Sequence, residues 1–144
     1  MLVSQILKSK DSERVLTIRP DATVAEAARI LSECRIGSLV VSADGRRAEG
    51  IISERDIVRE MGKRGVGCFG EQVKEMMTAD VVTCARADDV IDILTKMTEG
   101  RFRHIPVVEN DELVGLISIG DVVKARLAEL SMEKDALEGM ITGR

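Results

Sequence analysis

Arg101-Phe-Arg-His-Ile-Pro-Val-Val-Glu-Asn-Asp-Glu-Leu-Val-Gly-Leu-Ile-Ser-Ile-Gly-Asp-Val-Val-Lys124 reads as strand, turn, strand and helix start. Ile105–Val108 is a short apolar run with two valines, the composition of a buried strand. Glu109-Asn110-Asp111-Glu112 is a polar turn cluster. Leu113–Ile117 is a second apolar run, after which Ser118-Ile119-Gly120-Asp121 opens a helix. A near copy lies earlier: Ser38-Leu39-Val40-Val41, a turn over Ala43–Arg47, Gly50-Ile51-Ile52, then Ser53-Glu54-Arg55-Asp56. The pattern Gly-x-Ile-Ser-x-x-Asp-(Ile/Val)-Val therefore occurs twice, at Gly50–Val58 and Gly115–Val123.

Working outward from these copies, the duplication extends over most of the chain. Thr23–Cys34 has Val24, Ala27, Ala28 and Leu31 on one helical face, with Thr23 and Glu26 placed as a capping box. Val90, Ile93, Leu94 and Met97 repeat that face at an offset of 66 residues. Val15–Ile18 and Val81–Thr83 are matching strand candidates, with Thr17 and Thr83 in equivalent places. Val3–Leu7 and Val73–Met77 are matching short lead-in helices. Lys8–Glu13 reads as a polar loop, and Gly62–Gly70, with four glycines, as a flexible connector. The expected organisation is an α/β protein of two β-α-β-β-α repeats, residues 1–66 and 67–144. The second ends in a helix continuing to about Met140, whose Glu- and Lys-rich excess reads as a solvated extension. In each repeat a helix joins the first two strands, which implies a parallel pair, and the next two form a hairpin. Units this small cannot cover their own apolar surface, so the two should pack about a pseudo-twofold axis.

Composition removes several function classes. The 144 residues carry a net charge of −4 and only two aromatic residues, Phe69 and Phe102. Neither a cationic face nor a stacking platform for nucleic acid is expected. No apolar run is long enough to span a membrane, and the N-terminal residues lack the pattern of a secretory signal. A soluble, cytoplasmic protein is the default expectation. Cys34, Cys68 and Cys84 are widely spaced and odd in number, which suggests reduced thiols. Cys34 and Cys84 read as small core residues. Cys68, beside Gly67 and Phe69, reads as an exposed loop thiol. With His104 the only histidine, no metal site is expected. No nucleophile–base pair or phosphate-binding glycine loop is seen, so no enzymatic activity is expected.

The doubled motif, its preceding helices and the strand Phe102–Val108 resemble a tandem pair of cystathionine-β-synthase (CBS) domains, a Bateman module, over about Val3–Leu127. The resemblance implies a stand-alone regulatory module that binds an adenosyl ligand between its repeats without transforming it. AMP is the leading ligand, with ADP, ATP, NAD and S-adenosylmethionine in the same class. It also implies a homodimer, a flat disc of four repeats, and a regulated protein of unknown identity. The alternatives are a redox sensor working through Cys68 and an interaction module whose clefts take no nucleotide.

Ser53 with Asp56, and Ser118 with Asp121, can be helix caps and nothing more. The same geometry offers free N–H groups and positive dipole potential to a phosphate. The carboxylate adds oxygens that can accept from both hydroxyls of a ribose. The resemblance assigns the pairs these phosphate and ribose roles. Ile105 and its strand backbone are candidates for an adenine surface, and Pro106 suggests an edge or ligand-facing position. Arg103 and His104 are candidate phosphate contacts. Their counterparts in the first repeat, Gly37 and Ser38, carry no charge, although Arg55 can compensate. Thr83 is a strand former that can flank the base. The second repeat is therefore expected to provide the better site.

Overall fold

A computed structural model describes residues 1–10 and 15–142 of the chain. Its elements are α1 (Val3–Ser9), β1 (Thr17–Ile18), α2 (Val24–Cys34), β2 (Ser38–Val41), β3 (Gly50–Ser53), α3 (Glu54–Arg64), α4 (Val73–Met76), α5 (Val90–Gly100), β4 (His104–Glu109), β5 (Glu112–Ser118) and α6 (Ile119–Thr142). Of the polar loop expected over Lys8–Glu13, Lys8 and Ser9 close α1, and residues 11–13 lie outside the described residues.

β1 runs parallel to β2, and β2 pairs antiparallel with β3. β4 and β5 form the second hairpin, with a register shift at Val107/Val108. Its two-residue loop, Asn110-Asp111, has both residues at positive φ. Side chains that tolerate this conformation are what such tight loops require. The strand expected at Val81–Thr83 is reduced to one parallel bridge, Cys84 with Val107. The Cys84 amide donates to Pro106 at 3.0 Å and its carbonyl accepts from Val108 at 2.8 Å. An Ala85–Asp88 turn, closed through the Asp88 carboxylate, follows at once and leaves no length for pairing.

The two repeats are related by a pseudo-twofold axis, and each completes its core with a helix from the other. α1 contributes Val3 and Ile6 to a cluster with Val90, Ile93, Met97, Ile105, Val107, Ile117 and Val122. α4 contributes Val73 and Met76 to a cluster with Val24, Leu31, Leu39, Val41, Ile52 and Ile57. The docking is the same at both ends. Val3 and Ser4 amides donate to Asp88 and Arg86 carbonyls, while Val73 and Lys74 amides donate to Ala22 and Pro20 carbonyls. Two glycines of the repeated motif make room. A Cβ on Gly115 would lie 2.5 Å from Leu7 Cδ2, and one on Gly50 would lie 2.5 Å from Met77 Sδ. The apolar faces read from the sequence are those that are buried, each residue contributing about 1.5–3 kcal/mol.

The glycine-rich connector is more ordered in form than expected. α3 runs through Gly62 to Arg64, whose guanidinium bonds Glu60 and Glu71. Gly65, at φ 78°, ends it. Val66–Gly70 then forms a 3-10 turn that inserts Cys68 into the first core. Cys68 is thus buried, not a loop thiol, and Cys34 is exposed, not a core residue. Cys34 is the last residue of α2, where the chain turns away through Arg35 at φ 53°. Cys84 is buried as expected, and burial pushes its thiol up to about 12. The C-terminal helix ends in a solvated extension as expected, and it exposes Leu127, Leu130, Leu137, Met140 and Ile141 as well as its charged residues.

Candidate functional site

The two serine–aspartate pairs cap their helices reciprocally. Ser53 Oγ accepts from the Asp56 amide at 3.2 Å, and Asp56 Oδ2 accepts from the Ser53 amide at 2.9 Å. Ser118 Oγ accepts from the Asp121 amide at 3.1 Å, and Asp121 Oδ2 accepts from the Ser118 amide at 2.9 Å. Capping therefore occurs in both repeats. What differs is the cation facing each carboxylate. Asp56 Oδ1 accepts from Arg59 of its own helix at 3.1 Å. Asp121 Oδ2 accepts from Lys10 Nζ, beyond α1, at 2.8 Å. Lys10 Nζ also donates to the Leu116 carbonyl at 2.8 Å.

Lys10 lines the wall of a cleft of about 900 Å³ between the repeats. One side is formed by α1 and the entry to β1 (Ser4, Leu7, Lys8, Val15, Leu16). Another is the exit from α2 into β2 (Cys34–Ser38). The remainder is Arg86, His104 and the β5 residues Val114–Leu116 with Ser118. Among the described residues, four Lys or Arg side chains and His104 line it, and none of those lining residues is a carboxylate. In a chain of net charge −4 that is a local reversal of sign, the arrangement that draws an anion into a concave site.

Two polar groups mark the cleft further. Ser38 Oγ is buried and has no hydrogen-bond partner among the described residues. Ser38 is 2% exposed. An unpaired buried hydroxyl costs about 1–3 kcal/mol, which a ligand group could recover. His104 packs against Gly37, whose Cβ, if present, would sit 3.2 Å from the imidazole Cε1. Burial holds the His104 pKa below its ordinary value, with Asp121 and Glu54 opposing. Burial works in the other direction on Asp121, but the Lys10 and Ser118 hydrogen bonds outweigh it and keep the carboxyl below its usual range.

Of the residues singled out from the sequence, Ser38, His104 and Ser118 line this cleft, and Asp121 reaches its wall through Lys10. Ser53 and Asp56 occupy the equivalent helix start of the first repeat and do not line the cleft, although Ser53 pairs with Ser38, which does, and Arg55 is exposed beside them. Strand alternation decides the 103–106 segment. His104 faces the cleft while Ile105 is fully buried in the second core. Ile105 thus offers no base surface. Pro106 is buried, and its carbonyl accepts from Cys84. It stands on an outer strand of the two-stranded β4–β5 sheet, as expected, but does not line the cleft. Arg103 lies on the far side, in a shallow recess of about 540 Å³ with Ile119, Val123 and Leu127. Thr83 is exposed and outside the cleft, because its strand did not form.

Sequence reasoning missed Lys8, Lys10, Arg35 and Arg86. Each looks like an ordinary solvated charge at an element end. Only the doubled motif, by requiring two repeats to face each other, hinted that such ends meet. Among the described residues no group of three or more His, Cys, Asp or Glu is arranged to hold a metal ion. None of the described helices is long and apolar enough to cross a membrane.

Comparison with known proteins places this geometry. The CBS-domain family model matches residues 3–63 and 73–128. A crystal structure of a CBS-domain-containing protein of Agrobacterium tumefaciens superimposes with a TM-score of 0.82 at 42% identity. The match covers 88% of this chain and 99% of that one. The mitochondrial CBS domain-containing protein CBSX3 of Arabidopsis thaliana is 32% identical over 98% of this chain and 72% of its own length. The CBS domain pair of protein MJ0100 matches at a TM-score of 0.78 and 25% identity, covering 90% of this chain and 98% of that one. It was solved in complex with 5′-methylthioadenosine and S-adenosyl-L-methionine.

Proposed function

The chain belongs to the CBS-domain family, and from that premise we propose that it is a non-catalytic regulatory module whose inter-repeat cleft binds an adenosyl ligand. The observation that carries the reading is the buried, unpartnered Ser38 hydroxyl lining a cation-rich cleft. The volume, about 900 Å³, suits a nucleotide. The Ser118, Ile119 and Asp121 amides are already bonded, so this helix start offers the Ser118 hydroxyl proton to a phosphate, and Asp121 offers Oδ1, which accepts no hydrogen bond among the described residues. Adenine nucleotides are the ligand class, AMP, ADP, ATP and NAD included. That a related pair was solved with 5′-methylthioadenosine and S-adenosyl-L-methionine supports an adenosyl ligand. Because α1 and α4 each bridge the repeats, a ligand preferring one packing of the halves would bias their relative arrangement.

The regulatory unit is a homodimer. α6 buries Val122 and Ala125 on one side, yet Val123, Leu127, Leu130, Leu137 and Ile141 are exposed on another. Their spacing alternates between four and three residues, with Lys134 in the one polar seam position. This is a coiled-coil seam, and Glu133 and Glu138 beside it would face Lys134 of a second copy. Residues 129–142 form too short a helix to persist unsupported in water.

Calorimetry with AMP, ATP and NAD tests the ligand. The wild type should bind at least one, and Asp121→Ala should lose at least tenfold in affinity, the magnitude of a charge-assisted hydrogen bond of roughly 1.5–3 kcal/mol. Equal affinity in the variant would remove Asp121 from the site. Because the chain has no Trp or Tyr, a co-purified nucleotide would also dominate its near-ultraviolet absorbance. Light scattering tests the dimer, and Leu130→Glu with Leu137→Glu should reduce its mass to that of one chain.

A further inference from the structure

We infer that Lys10 sets the charge selectivity of the cleft, admitting adenosyl ligands with an anionic 5′ substituent and excluding neutral and cationic ones. The inference rests on the adenosyl-binding reading above and adds a specificity-determining residue to it. Lys10 Nζ is held at 2.8 Å by both the Leu116 carbonyl and Asp121 Oδ2. Among the described residues two of the three ammonium protons have acceptors, and the third is open to a ligand. The side chain is 32% exposed and that of Asp121 is 23% exposed, so the pair is partly shielded from water and a neighbouring charge is weakly screened.

The consequence concerns which ligands tolerate this ammonium. A ribose that reaches Asp121 Oδ1 arrives beside Lys10, which holds Oδ2 of the same carboxylate. The substituent nearest the sugar then meets a fixed positive charge. Lys8, Arg35 and Arg86 extend the same sign around the cleft, and among the described residues Asp121, paired with Lys10, is the carboxylate that meets this wall. A phosphate gains a charge-assisted hydrogen bond. A hydroxyl gains little, and a sulfonium is repelled. A diphosphate engages more of the surrounding cations than a monophosphate, so ADP should bind more tightly than AMP. The first repeat supplies the contrast. Its equivalent carboxylate, Asp56, is met by Arg59 from its own helix, which is 52% exposed.

The test is calorimetry of ADP, adenosine and S-adenosylmethionine against the wild type, Lys10→Met and Lys10→Gln. Lys10→Gln retains a donor for the Leu116 carbonyl and keeps the test valid if Lys10→Met fails to fold. In the wild type, ADP should bind at least tenfold more tightly than adenosine, with S-adenosylmethionine weakest. Loss of the charge should weaken ADP by roughly tenfold to a hundredfold, leave adenosine within about twofold, and strengthen S-adenosylmethionine. If all three change by the same factor, or none changes, Lys10 is only a structural tether and the inference is overturned while the adenosyl site stands. If the wild type binds none of the three, the proposed function itself is overturned.

Discussion

Ile6→Ala, a change near the N-terminus, should destabilise the C-terminal sheet. Ile6 is 3% exposed and packs in the second core with Ile93, Ile105, Ile117 and Val122. The substitution removes three carbons, about 2.4 kcal/mol at ~0.8 kcal/mol each. The residual cavity raises the loss to about 3–4 kcal/mol, within the ~2–5 kcal/mol found for such truncations. Against a typical domain stability of ~5–15 kcal/mol, that is measurable without unfolding the protein. Amide hydrogen exchange followed by NMR is the assay, since it resolves local opening. Amides of β4 and β5 (His104–Ser118) should exchange roughly a hundredfold to a thousandfold faster, and those of β2 and β3 (Ser38–Ser53) should change far less. Val73→Ala should do the reverse. An Ile6→Ala protein whose acceleration is confined to Ser38–Ser53, or amounts to less than about 1 kcal/mol, would refute the exchange of helices between cores.

Gly115→Ala should cost about 1–3 kcal/mol through its clash with Leu7, read as a lowered Tm, and Leu7→Ala in the same chain should return part of the loss. Cys34 alone should react with a maleimide in the native protein, Cys68 and Cys84 only after denaturation. Because Cys34 lines the cleft, a bound nucleotide should slow its labelling; rapid native labelling of Cys68 would contradict its burial. Burial lowers the His104 pKa, so the unfolded chain takes up that proton before the folded one does. The associated stability is complete above the unfolded value near 6.5 and is lost as pH falls through the lower folded value. Between about pH 7.5 and about pH 5, Tm should therefore drop less in His104→Gln than in the wild type, and equal drops would show that His104 does not contribute.

Local pattern made much of this architecture readable. The spacing of Val24, Ala27 and Leu31 marks a buried helix face wherever that helix docks, and Asn110-Asp111 can close only a tight turn. The exchange of α1 and α4 was hidden because an apolar face shows that something covers it without saying what. Val81–Thr83 has the composition of a strand, and only the turn fastened by Asp88 stops it from pairing. Cys68 looked exposed because glycines on both sides suggested a loose loop, whereas a 3-10 turn drives it inward. At the site, Ser118 and Asp121 were visible through their repetition. Lys10 was not, since a lysine closing a short helix looks the same whether its amine meets water or a carboxylate across the fold.

The reciprocal placement of α1 and α4 also orders events on the ribosome. The first sheet can close over its core once Val73 and Met76 have emerged. α1 has been outside far longer, yet its seat does not exist until Val122 and Ala125 follow. A seven-residue helix holds no structure alone, so α1 must wait as unstructured chain while the residues between it and Ala125 are made. A segment made early is thus fixed late, and a product cut short before Val122 would leave the apolar residues of α1 exposed to chaperones and proteases.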